Sequence, residues 1–388
     1  MRARLRILLG HPIVRTLLFE RLLITASATL AFAAVAMGRV RPSEIPGLLD
    51  ARLLALFFVL TVAVELGKHS DLFDRLVAAV VRRARHARAL AFALVAVTGV
   101  SAALLTNDVA LLLVVPFTML FRRVTDIDLA PLIVLEIAAA NLLGALTPIG
   151  NPQNLFLYAR GGFTSVSFLS AQLPFVAGAA VLLALAIPLL VARREFEPPA
   201  AAPFDVDPWL AAAFVLLLAA EIAALEGLIP WSAPLLLSLA GIAMLGRRVL
   251  EADFSLVLVF AFLFIGVEGL ERGRLYRSLD PERLFGHGPA GLLVSGALLS
   301  QIVSNVPAAL LLAPAVRSSS GFTALLFGVN AGGCGTPVSS LANLIGAQLY
   351  LREGGRPGPF WRLFLPTSFA LLAAMLAWSL AILRLTIR

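Results

Sequence analysis

Apolar runs alternate with short polar breaks along the whole chain, and the runs at 22–36, 53–66, 89–105, 129–146, 168–191, 209–225, 231–245, 254–267, 291–303 and 364–383 read as membrane helices. A hydrocarbon core takes about 20 mostly apolar residues per helix. One segment departs from this pattern: 72–88 (LFDRLVAAVVRRARHAR) mixes apolar and basic residues at helical spacing, as an interfacial helix does. With Lys68 it forms the densest positive cluster, which places it on the cytoplasmic side.

The helical pattern fails at two places. From Asn141 the chain runs through Gly144, Thr147, Pro148, Gly150, Asn151, Pro152 and Asn154, and two prolines and two glycines forbid an unbroken helix. Asn330, Gly333, Thr336, Pro337, Ser339, Ser340 and Asn343 repeat the Asn, Gly, Thr, Pro and Asn positions at identical spacing. Inside a bilayer, freed carbonyls and amides persist only beside a protein-lined cavity or a bound ion. Ahead of each break an apolar stretch is interrupted by a polar tripeptide, Thr106-Asn107-Asp108 or Ser304-Asn305-Val306, with a proline ten residues after its first member (Pro116, Pro314). These interruptions read as re-entrant hairpins, the first turning at or near Pro116.

The same order recurs in both halves: Val-Glu at a helix end (Glu65, Glu268), a charged surface helix (72–88, 270–284), a hairpin, then a broken helix. The first surface helix is much more basic than the second, as expected of repeats that face opposite sides. The expected architecture is an all-α polytopic membrane protein of about 10–11 transmembrane helices plus two re-entrant hairpins, in two inverted repeats with broken helices. Its divisions are an N-terminal span at 1–44, repeat 1 at 45–192, a polar Pro-rich linker at 193–207 and repeat 2 at 208–388.

Composition agrees. The 388 residues are 60% hydrophobic and 14% charged, with a mean hydropathy of +0.94, against roughly one-quarter charged in soluble domains. The net charge of +8 is carried by arginines at the ends of apolar runs, which anchor and orient spans, so no nucleic-acid partner is expected. The basic start and the small residues closing the run at 22–36 resemble a signal peptide, yet no exported soluble domain follows, so this run is read as a retained first span. Cys334 is the only cysteine, which excludes an intramolecular disulfide. The four histidines (His11, His69, His86, His287) fall in expected loops or surface helices and show no metal spacing. No phosphate-binding loop, nucleophile elbow or HExxH is present, which argues against a self-contained ATP-driven pump and a recognisable intramembrane hydrolase.

Carbonyls freed at a helix break, with Asn and Thr oxygens, make hard neutral ligands for sodium, while helix N-termini favour anions. One half-site is expected from Thr106, Asn107, Asn141, Thr147, Pro148, Gly150, Asn151 and Asn154. The other is expected from Ser304, Asn305, Asn330, Thr336, Pro337, Ser339, Ser340 and Asn343, with sodium at Asn107, Asn154, Asn305 and Asn343. Asp108, whose counterpart is Val306, is either a proton or cation carrier or the cap of the hairpin helix. Glu136 shares the proton-coupling candidacy; Glu65 and Glu268 read equally as interfacial structural acids.

At these residues the chain resembles the ion transporter superfamily of arsenite efflux permeases, NhaD-type sodium/proton antiporters and divalent anion:sodium symporters, including its citrate-transporter-like members. In the symporters the paired tripeptides read Ser-Asn-Thr; here Asp108 and Val306 replace the threonine, and the Asn-Asp and Asn-x-Pro forms look more like the permease and antiporter side. The resemblance implies an elevator-type fold, often a homodimer. The expectation is a multi-pass, non-enzymatic secondary transporter of the bacterial inner membrane. It carries no cofactor and moves an inorganic or carboxylate anion coupled to H+ or Na+. Its alternatives are a Na+/H+ antiporter using Asp108 and an arsenite or antimonite efflux permease, the latter drawing on Cys334.

Overall fold

The computed structural model describes residues 12–123, 127–196, 205–273 and 288–386. His11, His287, residues 197–204 of the linker and the second surface segment beyond residue 273 lie outside the described residues. The helices are α1 (Pro12–Ala36), α2 (Ala51–His69), α3 (Leu72–Val81), α4 (Ala87–Leu104), α5 (Asn107–Leu120), α6 (Ala130–Leu143), α7 (Pro152–Gly161) and α8 (Ser165–Leu190). They continue as α9 (Pro208–Leu225), α10 (Ser232–Leu245), α11 (Ser255–Glu271), α12 (Gly288–Val303), α13 (Asn305–Leu312), α14 (Ser319–Ala331), α15 (Leu341–Arg352) and α16 (Pro357–Thr386). Among the described residues there is no β-strand, only a single bridge between His86 and Glu195.

Helices α8, α9 and α16 are long and apolar enough to cross a membrane alone, and most of each apolar window faces outward rather than into the protein. That is the pattern of lipid-facing helices, which need no polar outer face. Helix α6 is buried almost throughout and α14 is buried from Ala324 to its end, so the two broken segments run through the middle of the protein.

Both tripeptides lie at the turns of re-entrant hairpins, and only the first supplies a side-chain cap. The Thr106 side chain accepts the Val109 N–H and restarts the helix after Leu105, so the first turn is at the tripeptide. Pro116, expected at or near that turn, instead lies inside α5. The base of this hairpin is closed on one face: Phe196 donates its N–H to Arg85 O ahead of α4, and its ring packs edge-on against Phe121 at the end of α5. In the second hairpin, Leu292 near the start of α12 and Val316 after α13 both pack on Gly321. The basic surface helix is shorter than expected: α3 ends at Val81, and His86 caps a new helix through its Nδ1.

The hairpins enter from opposite faces. At the base of the first, Arg122 donates to Glu353 O at the end of α15. At the base of the second, Pro314 shares a cavity wall with Arg160 from the end of α7. Each broken helix therefore starts beside its own hairpin and leaves beside the other.

Candidate functional site

The two breaks form one buried core joined by exchanged amides. Asn141 Nδ2 donates to Asn343 Oδ1 at 2.8 Å, and Asn330 Nδ2 donates to Asn154 Oδ1 at 2.8 Å. The first asparagine of each break thus reaches the last asparagine of the other. Asn154 Nδ2 turns back to Ala145 O and Thr147 O (both 3.2 Å), and Asn343 Nδ2 to Gly333 O (2.9 Å) and Thr336 O (3.0 Å), satisfying carbonyls that the prolines release. Ser340 donates to Asn141 Oδ1 at 2.8 Å, while its counterpart Asn151 donates to Asn330 Oδ1 at 3.2 Å.

Each hairpin tip docks on the break of its own repeat. Asn107 N–H bonds Gly150 O at 2.9 Å, and Thr147 Oγ1 donates to Ala103 O at 2.5 Å. The equivalent contacts are Ser304 Oγ to Ser339 O at 3.4 Å and Thr336 Oγ1 to Gln301 O at 3.0 Å. Asn107 Nδ2 also reaches Asn141 Oδ1 at 3.2 Å, tying the first tip into the cross-repeat network. Ser304 has φ of +74°, a left-handed value that costs a non-glycine residue of order 1–3 kcal/mol, so the second tip holds backbone strain.

A vestibule of about 390 Å³ leads from the face that bears Lys68 to Thr106 and Asp108, within the volume range of small-ligand sites. Its walls are α1, α2, the start of α11, the first hairpin tip, Pro152 and the first residues of α15. Glu65, Asp108, Glu251 and Asp253 outnumber Lys68 around it. Lys68 Nζ bonds Glu65 at 2.7 Å, and His69 Nε2 lies 3.6 Å from Glu65 and 3.7 Å from Glu251. A second cavity of about 120 Å³ lies on the opposite face, lined by Phe156, Arg160, Glu268, Glu271, Leu310 and Pro314. Corresponding elements of the two repeats line both, Val64-Glu65 and Leu112 in one and Val267-Glu268 and Leu310 in the other, but only the larger reaches a hairpin tip.

Glu65 therefore lines the vestibule, while Glu268 is held by Arg272, which also grips Glu44, both at 2.7 Å. Glu136 stands apart from both cavities, fully buried on α6, with Thr118 Oγ1 donating to it at 2.6 Å. Three further residues escaped the sequence reading. Gln153 donates to Asn330 Oδ1 at 3.0 Å. Gln301 donates to Gly332 O and Cys334 O and accepts Thr336 N–H at 2.8 Å. Both glutamines lack a counterpart in the other repeat, where Ala342 and Ala103 stand, so repeat matching passes over them. Glu221, fully buried in α9 with neither carboxyl oxygen hydrogen-bonded, carried a legible signal, since an acid inside an apolar run is costly.

Tyr158 and the Ser165 N–H both donate to Glu226 at the end of α9, at 2.7 and 2.5 Å, joining the helix after the first break to the outer helices. The Ser165 hydroxyl foremost, then the Tyr158 hydroxyl and the Ser165 N–H, hold the Glu226 carboxyl below its ordinary value of 4.5.

Two hairpin tips meeting two broken helices at a shared buried core, with cavities on opposite faces, is the architecture of membrane transporters built from inverted repeats. The chain matches the citrate transporter family, CitMHS, over residues 16–323, and it belongs to that family. It is 33% identical over 358 residues to the inner membrane protein YbiR of Escherichia coli, covering 87% of this chain and 90% of YbiR. An uncharacterized transporter of Methanocaldococcus jannaschii, MJ0456, is 29% identical over 320 residues, 80% of this chain and 84% of that protein. The crystal structure of the Alcanivorax borkumensis YdaH transporter superimposes with a TM-score of 0.57 at 16% identity, covering 96% of this chain and 98% of that one, and so shares its fold.

Proposed function

We propose that this membrane transporter is a secondary active permease of the bacterial inner membrane, moving a small inorganic or carboxylate anion coupled to H+ or Na+. The observation that carries this reading is the junction of the two breaks with the tip at Asp108, reached by a vestibule from one face. Helices α5, α7, α13 and α15 all begin at the tips and breaks, and N-termini of helices favour an anion. The excess of acids in the vestibule attracts the coupling cation toward Asp108. The basic run that follows α3, Arg82, Arg83, Arg85 and Arg88, is joined through α3 to the face that bears Lys68, which makes the vestibule cytoplasmic. The matching cavity on the opposite face supplies the second access route, and an elevator-like movement of the tips and breaks as one body exchanges the two. Citrate, the substrate in the family's name, is a carboxylate of the proposed class.

The acidic lining also favours a second reading, Na+/H+ exchange at Asp108 without an anion. Proteoliposomes with an imposed pH or sodium gradient separate the two when internal pH is followed while citrate and inorganic oxyanions are added in turn. The proposal expects ion movement that depends on one added anion; gradient-driven pH change with no anion, lost in Asp108→Asn, establishes the exchanger instead.

A further inference from the structure

Two basic segments are stitched together at the base of the first hairpin. Ala87 N–H bonds Arg194 O at 2.8 Å and Phe196 N–H bonds Arg85 O at 3.2 Å, around the bridge between His86 and Glu195. Residues 82–88, which lead into α4, thereby lie against residues 191–196, which follow α8. The two segments hold six arginines and a single acid, Glu195.

Arg88 is committed to the end of α8: its Nε donates to Val191 O at 2.9 Å and its Nη2 to Pro188 O at 3.1 Å. Those bonds serve carbonyls left open at a helix C-terminus. Arg82, Arg83, Arg85 and Arg193 are exposed, and among the described residues none of them forms an ion pair. Like charges gathered on joined segments repel one another, and an anion among them relieves the repulsion.

Below these arginines, α8 offers a bed for an acyl chain. Val181, Leu185 and Leu189 follow one another at four-residue spacing on one face of the helix and are 58%, 60% and 83% exposed. In a bilayer that face meets hydrocarbon, while the arginines beyond Leu190 stand at headgroup level. The ligand that complements both is an anionic amphiphile. A free phosphate ion meets the arginines and gains nothing from the apolar row.

We propose that this surface binds an anionic phospholipid, its phosphate held by Arg82, Arg83, Arg85 and Arg193 and one acyl chain lying along Val181, Leu185 and Leu189. Arginine suits phosphate because its planar fork donates in pairs. The lipid clamps residues 191–196 to those before α4, and with them Phe196 to Phe121 at the end of α5. The base of the first hairpin is then closed by membrane lipid as well as by protein. Arg247 and Arg248, exposed after α10 on the vestibule's face, share their turn with Glu251 and supply the control.

Scintillation-proximity binding of tritiated phosphatidylglycerol to the delipidated full chain in micelles of neutral detergent tests the proposal. Unlabelled phosphatidylglycerol should displace the label, whereas phosphatidylcholine and inorganic phosphate should not. Each arginine facing an anionic lipid counts for about fivefold in binding. Arg83→Gln with Arg193→Gln, one from each segment, should therefore weaken binding about tenfold or more. Arg247→Gln with Arg248→Gln, which removes the same charge elsewhere on that face, should leave binding unchanged. Displacement by phosphatidylcholine overturns the proposal, and displacement by phosphate does so by showing an anion site without lipid. Unchanged affinity in the first double variant, or an equal loss in both, also overturns it, the latter in favour of general surface charge. The competition on the wild type decides even if a variant fails to fold.

Discussion

The exchange of amides between repeats is open to direct measurement through the Asn330–Asn154 pair. Asn330→Ala removes the bond to Asn154 Oδ1 at 2.8 Å and leaves Gln153 Nε2 and Asn151 Nδ2 without their shared acceptor. Side-chain hydrogen bonds inside membrane proteins average about 0.6 kcal/mol and reach about 1.7, whereas stranding a buried polar group costs about 1–3 kcal/mol. Three bonds are lost and no water reaches these fully buried partners, so the single substitution is expected to cost about 2–5 kcal/mol. A double-mutant cycle isolates the exchanged bond. Asn330→Ala, Asn154→Ala and the double variant, unfolded reversibly in mixed micelles of rising denaturing detergent, should show a coupling of about 0.6–1.7 kcal/mol. Effects that add within about 0.3–0.5 kcal/mol, as for independent sites, would refute a direct bond between the repeats. The cycle on Asn141 and Asn343 is the matching control and should give coupling of the same sign, because that bond is also 2.8 Å.

Other predictions follow from single contacts. Gly150→Ala drives a methyl group to 2.0 Å from Gly144 O, so the break must shift; transport should be lost, and a variant transporting at the wild-type rate would mean the first break tolerates displacement. Glu226, with its pKa held down in the folded protein, contributes stability that is present above pH 4.5 and lost as pH falls through the depressed value. Thermal unfolding of the wild type and Glu226→Gln should therefore differ most above pH 4.5 and converge in acid, and a constant difference across that range would contradict the assignment. Removing Thr118 Oγ1 with Thr118→Val strands Glu136 and should cost about 1–3 kcal/mol, read in the same micelle titration.

The sequence displayed the breaks and tips because the residues that interrupt a membrane helix are few and distinctive. Asn141, Gly144, Thr147, Pro148 and Asn154 recur in frame as Asn330, Gly333, Thr336, Pro337 and Asn343, and backbone chemistry alone requires polar partners there. Which partners they take was not legible. Asparagine donates and accepts equally well, and only the fold brings Asn330 beside Asn154, 176 residues away. The same indifference concealed that Asn154 Oδ1 and Asn343 Oδ1, expected as sodium ligands, accept protein hydrogen bonds. The turn of the first hairpin was misplaced toward Pro116 because proline is the stronger breaker in isolation, yet Thr106 supplies the cap that restarts the helix. Gln153 and Gln301 break the symmetry between repeats, so comparing the halves could not find them.

The central claim is that both half-sites together form the transport site, and flux in proteoliposomes of Asn107→Ala and Asn305→Ala, at matched protein incorporation, tests it most directly. The account predicts that each variant abolishes substrate flux while remaining folded, since Asn107 holds the first tip to Asn141 and Asn305 begins the helix at the second tip. Flux at the wild-type rate in both variants would contradict it.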